Sequence, residues 1–196
     1  MKLKTFLVAL VALATFSFTI SKVADYTVDT EASTIKWKGY KVTGSHFGNV
    51  NIKDGSLKFD DNKLVGGSFT IDMTSITVKD LKGDYAKKLE GHLKSKDFFG
   101  TDKFPTAKLK ITKVVPYGTS GKYKITADLT IKSTTKSIKF MANVTDNEGT
   151  ATADAKITVD RSDFDIRYGS GSFFDNLGDK TIYDEFELEI SLTAKK

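Results

Sequence analysis

From Tyr26 onward, apolar residues recur at every second position. Ile35 and Trp37 alternate with Thr34, Lys36 and Lys38, and Phe69, Ile71 and Met73 with Ser68, Thr70, Asp72 and Thr74. Tyr123, Ile125, Ala127, Leu129 and Ile131 face away from Lys122, Lys124, Thr126, Asp128 and Thr130. Ile138 and Phe140 follow, then Ala155, Ile157 and Val159, and finally Phe186, Leu188, Ile190 and Leu192 against Glu185, Glu187, Glu189 and Ser191. A period of two is that of a strand with one dry and one wet face. Turn-forming clusters separate the runs at residues 60–63, 118–121 and 146–149. Connections this short join antiparallel neighbours. The runs number about eight or nine, which is the range of a small closed up-and-down barrel. One stretch breaks the pattern: in Asp80–Lys94, the residues Leu81, Tyr85, Leu89 and Leu93 are four apart, the stripe of an amphipathic helix. Asp80 is placed to cap its start. The expected fold is therefore all-β, an antiparallel closed barrel of about eight strands with one helical insertion near residues 80–94.

Length and composition fit one domain. The chain has 196 residues, no linker and no repeat after its first segment, and only 2 prolines. Residues 1–21 have the build of a secretory signal: Lys2 and Lys4, then a short apolar run from Phe6 to Phe18, then small residues. The run is short for a membrane span, which needs about 20 apolar residues. Cleavage is expected, with a cut after an Ala12-x-Ala14 exit or near Ser21, leaving a domain over 22–196 that is periplasmic or secreted. The formal charge of +5 falls by two when Lys2 and Lys4 leave. The remaining basic residues are scattered, so nucleic acid is not an expected partner. Lys94, Lys96, Lys108, Lys110 and Lys113 read as a solvated face, with attraction to an anionic head group or peripheral contact with a membrane as the alternative. Oligomeric state is not legible, and a dimer is compatible with the sequence.

Few residues carry reactive chemistry. With no cysteine there is no disulfide, thiolate metal site, thiol nucleophile or lipoprotein anchor. The two histidines, His46 and His92, form no HxH or HxxxH pair, so neither a metal nor a cofactor is expected. His46 lies in Gly44–Gly48 and reads as an exposed loop residue. His92 ends the helix, where the helix dipole favours a cation, a structural role with ligand contact as the alternative. No GxSxG elbow is present, and Gly169-Ser170-Gly171-Ser172 reads as a loop. Asp160, Asp163 and Asp165, beside Arg161 and Arg167, read as salt-bridged surface. No enzymatic activity is expected. The aromatic content is high, with 14 phenylalanines. Phe98, Phe99, Phe104, Phe164, Phe173 and Phe174 sit at or beside loops, where they either plug the barrel ends or line the mouth of a cavity.

These landmarks together resemble the YceI-like family. The carriers are Tyr26-Thr-Val-Asp29 with Ser33-x-Ile35-x-Trp37; Leu89-x-x-His92-Leu93-Lys94-Ser95-x-Asp97-Phe98-Phe99 with Phe104-Pro105; Asp128-Leu129-Thr130-Ile131 with Thr135-Lys136; and Asp160-Arg161-Ser162-Asp163-Phe164 with Tyr168-Gly169 and Gly178-Asp179. The chain departs from the family's frequent glycines at Ala127 and Ser133. The resemblance implies a lipocalin-like barrel that encloses a polyisoprenoid or another long-chain apolar lipid, isoprenoid quinones included. Inward strand positions then make Trp37, Phe69, Ile71, Leu129, Phe140, Phe186 and Leu188 candidate lining residues, with Leu89, Phe98 and Phe99 as a lid. The competing expectation is an envelope stress or scaffold protein that uses the same barrel without cargo.

Overall fold

A computed structural model describes residues 23–147 and 149–196. The expected leader, residues 1–21, lies outside the described residues. Nine strands form: β1 (Ala24–Val28), β2 (Thr34–Lys41), β3 (Gly44–Asp60), β4 (Lys63–Val78), β5 (Thr106–Pro116), β6 (Lys122–Ile131), β7 (Thr134–Asn147), β8 (Thr150–Asp160) and β9 (Ile182–Lys195). Among the described residues one α-helix, α1 (Gly83–Lys94), joins β4 to β5. All pairings are antiparallel. The sheet runs from β2 through β9, β8, β7, β6, β5 and β4 to β3, and β3 pairs β2 again, so eight strands close a barrel. The closing registers are Ile35↔Val50 and Trp37↔Leu188. β1 is the ninth strand: it bridges β3 at Tyr26↔Leu57 and β9 at Val28↔Ala194, filling the gap below the end of β2.

The two ends of the barrel differ. At one end the interior is packed with buried side chains. Tyr26 and Phe59 meet with ring centroids 4.7 Å apart and planes tilted by 51°, and the Tyr26 hydroxyl donates to Asp146 at 2.8 Å. Leu57, Leu64, Tyr123, Val144 and Ala151 are buried around them. Gly55 lacks the side chain that would collide with the Phe69 ring, since a Cβ there would come within 2.7 Å of it. At the other end the β2–β3 turn, α1 and the long β8–β9 connection surround an opening. α1 starts three residues later than Asp80, at Gly83. Asp80 is not its cap. Its carboxylate instead takes the Phe47 N–H at 3.1 Å and pairs with His46 Nδ1 at 2.7 Å. The helix is tied to β4 by Glu90, whose Oε1 accepts the Val78 N–H at 2.8 Å.

Candidate functional site

The open half of the barrel encloses a cavity of about 530 Å³. Strand alternation builds its walls: Ile35 and Trp37 from β2, Val50 from β3, Ile71, Met73 and Ile76 from β4, Leu129 and Ile131 from β6, and Phe186 and Leu188 from β9. The stripe of α1 supplies the roof. Leu81, just before the helix, and Tyr85, Leu89 and Leu93 all line the cavity, joined by Phe98 and Phe99 from the turn that follows. That turn is held by backbone bonds from Phe99 N to Leu93 O and from Thr101 N to Lys94 O, and Met73 N reaches Pro105 O on the strand side. Phe98, Phe99 and Phe186 form a chain of edge-on rings at 5.2 and 6.4 Å.

Of the ten residues expected to line a cavity, Trp37, Ile71, Leu89, Phe98, Phe99, Leu129, Phe186 and Leu188 do so. Phe69 and Phe140 do not. Both pack against the buried core, Phe69 over Gly55 and Phe140 opposite Ile125. Alternation reports the side of the sheet a residue faces, and it carries no information about height along the barrel. The loop aromatics divide. Phe98 and Phe99 line the cavity, Phe164 is buried outside it, and Phe173 and Phe174 remain exposed.

Trp37, the single tryptophan, is fixed in two ways. Its Nε1 donates to the Thr77 carbonyl at 3.1 Å. Gly48 lies directly beneath its ring: a Cβ there would fall 1.7 Å from Thr77 O and 2.9 Å from Trp37 Cζ2.

Arg161 and His46 behave differently from their sequence reading, and His92, in the last turn of α1 as read, also meets the cavity. Arg161 is not on the surface. It is 2% exposed, lines the cavity, and sits over the Phe98 ring at 5.4 Å. Its Nη1 donates to Ile166 O at 2.7 Å, its Nη2 to Ile182 O at 2.9 Å and its Nε to Tyr183 O at 3.2 Å, while Nη2 lies 3.1 Å from Asp184 Oδ1. Asp184 Oδ2 in turn accepts the hydroxyls of Ser170 and Ser172. Burial lowers the guanidinium pKa, and the charges of Asp184 and Asp160 oppose that effect. This network fastens the β8–β9 connection to the start of β9 and so shapes the mouth. Its neighbours do fit the surface reading: Asp160 caps the 3₁₀ turn Arg161–Phe164 through Ser162 N, Asp163 pairs with Lys136, and Asp165 with Arg167. His46 is not a loop residue. It lies on β3, half-buried at the cavity wall and bound to Asp80. His92 also lines the cavity, with its ring edge-on to Tyr168 at 4.4 Å and to Phe98 at 5.7 Å. No sequence signal separated Arg161 from Arg167. The distinction is made by the barrel end onto which Arg161 folds.

Large apolar side chains remain in water around the opening: Tyr85 is 78% exposed, Tyr183 52% and Tyr168 49%. Lys41 and Lys88 stand at the same rim.

Comparison with known proteins agrees with this architecture. The YceI-like domain family matches residues 26–194. A UPF0312 protein of Shewanella denitrificans is 31% identical over 126 residues, which are 61% of this chain and 62% of that one. For the Photorhabdus laumondii relative, at 34% identity, the match spans 48% of its length. The chain thus spans about half to two-thirds of these relatives. A Vibrio parahaemolyticus relative is 31% identical over 79% of this chain and 85% of its own. Among solved structures, Burkholderia cenocepacia BcnA superposes with a TM-score of 0.71 at 25% identity, over 86% of this chain and 99% of BcnA. A polyisoprenoid binding domain from Saccharophagus degradans gives 0.63 at 13% identity, over 87% and 97%, a likeness of fold. The matched residues run from β1 to the end of β9, the whole of the closed barrel, and the chain belongs to the YceI-like family.

Proposed function

We propose that this protein binds a long apolar lipid of the polyisoprenoid class inside its barrel and carries it outside the cytoplasm after removal of residues 1–21. The carrying observation is the cavity: about 530 Å³ of space walled by Trp37, Ile71, Leu129, Phe186 and Leu188 and roofed by Leu89, Phe98 and Phe99. This volume lies within the roughly 300–1,000 Å³ range of small-molecule sites. Each CH₂ moved from water into such a hollow contributes about 0.8 kcal/mol, so a chain of a few isoprene units outweighs the cost of ordering it. A barrel serving only as a scaffold has no need of an unfilled apolar interior, so the cavity favours cargo over the scaffold alternative. The binding-domain neighbour from Saccharophagus supports the same ligand class.

Such a lipid has little aqueous solubility, so it enters and leaves at a membrane. Tyr85, Tyr168 and Tyr183 at the mouth, with Lys41 and Lys88 beside them, have the amphipathic and basic character that suits the head-group region of an anionic bilayer. Native mass spectrometry of protein purified gently from its own exporting host tests the reading, together with quenching of Trp37 fluorescence by added prenyl lipid. Retained or acquired lipid at one molecule per chain is expected. Persistently lipid-free protein with unresponsive Trp37 emission removes the proposal.

A further inference from the structure

The polar side chains on the cavity wall nearly all have partners. Trp37 Nε1 donates to Thr77 O, the Tyr40 hydroxyl to Glu187 at 3.0 Å, and His46 Nδ1 pairs with Asp80. Arg161 serves three carbonyls and the Asp184 carboxylate. Lys41, Lys88, Tyr85, Tyr168 and Tyr183 are exposed to solvent. His92 is the exception. Its Nε2 is buried and has no hydrogen-bond partner among the described residues. The ring is nonetheless held in place, edge-on between Tyr168 and Phe98, and Ser95 fixes the backbone behind it through bonds to the His92 carbonyl at 2.8 and 3.1 Å. A buried polar atom left unpaired is costly, and in folded proteins such an atom usually has its partner supplied by something else.

We propose that His92 Nε2 is the hydrogen-bonding handle for a neutral oxygen, a hydroxyl or a carbonyl, at the head of the bound chain. This rests on the reading that the cavity takes an apolar lipid. Neutral imidazole offers one ring nitrogen as donor and the other as acceptor, so Nε2 serves a hydroxyl in either tautomer and a carbonyl as N–H. The surroundings select against an ionised head here. The nearby cation, Arg161, is turned toward the Ile166, Ile182 and Tyr183 carbonyls and is balanced by Asp184. A phosphate therefore stays at the rim with Lys41 and Lys88, where its charge remains solvated.

Phytol, phytane and phytyl phosphate share one carbon skeleton and differ at the head, apart from the one allylic double bond that phytane lacks. Their affinities for the wild type, His92→Phe and His92→Gln, read by Trp37 fluorescence, test the handle. The wild type is expected to bind phytol about tenfold more tightly than phytane, the usual effect of one buried hydrogen bond. His92→Phe is expected to erase that preference, bringing the phytol-to-phytane affinity ratio to about one, and His92→Gln to keep part of it. The ¹⁵N resonance of Nε2 is expected to shift on adding phytol and to stay in place with phytane. A phytol preference that survives His92→Phe, or an Nε2 resonance indifferent to phytol, as when an ordered water is its partner, overturns the handle alone. Failure of the wild type to bind any of the three lipids overturns the cavity reading as well.

Discussion

Arg161 and Gly48 show how single residues set the site. Arg161 organises three backbone carbonyls and Asp184 from a position 2% exposed. Replacing it with methionine keeps much of the volume but leaves these acceptors buried without donors. Arg161→Met is expected to lower stability by about 3 kcal/mol, the usual cost of breaking a buried charge pair from one side, as read by urea denaturation. Gly48 acts by having no side chain. The methyl group of Gly48→Ala would fall on the Thr77 carbonyl and against the Trp37 ring. The variant is expected to lose about 1–3 kcal/mol through overpacking and to shift Trp37 emission, because the indole loses its bond to Thr77. Unchanged emission would show that Gly48 does not position the ring.

At the scale of elements, α1 is a roof held on by side chains. Three of its stripe positions, Tyr85, Leu89 and Leu93, face the cavity, and none of its residues is fully buried. Its attachment depends on Glu90 at Val78 N–H and on Asp80, just ahead of the helix, which takes His46 and the Phe47 N–H. Burial opposes ionisation of Asp80, but the His46 and Phe47 bonds outweigh it, so its carboxyl lies below the ordinary aspartate pKa. A carboxylate lowered in the folded state stabilises the fold fully above its unfolded pKa, and that contribution disappears as pH falls through the folded pKa. Asp80→Asn is therefore expected to cost about 1–2 kcal/mol near neutral pH. The gap between wild type and variant closes below pH 3.8, the unperturbed value. Thermal melts at several pH values check both the size and the direction. Hydrogen exchange over α1 is expected to accelerate in the variant at neutral pH.

At the scale of the whole molecule, one barrel holds a solid half and a hollow half. Side chains can be enlarged into the hollow without displacing core. The double substitution Ile71→Phe with Leu129→Phe places two rings inside the cavity, so its stability cost is expected to stay below the roughly 1–3 kcal/mol of overpacking a filled core. Lipid uptake, read by native mass spectrometry, is expected to be lost. Full uptake with both rings in place would locate the lipid elsewhere. The mouth is tested separately: flotation with anionic vesicles is expected to weaken for Tyr85→Ser with Tyr183→Ser and to fall with salt.

Alternation and turn chemistry were sufficient, from the sequence alone, for the all-β class, the antiparallel order and the helical excursion, because these depend on interactions between residues close along the chain. The face of each strand was equally legible: Trp37, Ile71, Leu129, Phe186 and Leu188 all point inward as their spacing requires. Position along the barrel was not, because it follows from the stagger of eight closing strands, which sets residues far apart in sequence at one level. That stagger places Phe69 and Phe140 against the buried core away from the cavity, and Ile35, Val50 and Met73 at its wall. The polar residues divide in the same way. Asp163 and Asp165 have surface partners, as their charge pattern indicates. Arg161, His46 and His92 owe their places to contacts with segments distant in sequence: Arg161 with β9, His46 with Asp80, and His92 with Tyr168. Local pattern determines what each segment becomes, and only closure of the sheet decides which of its side chains meet around an empty interior.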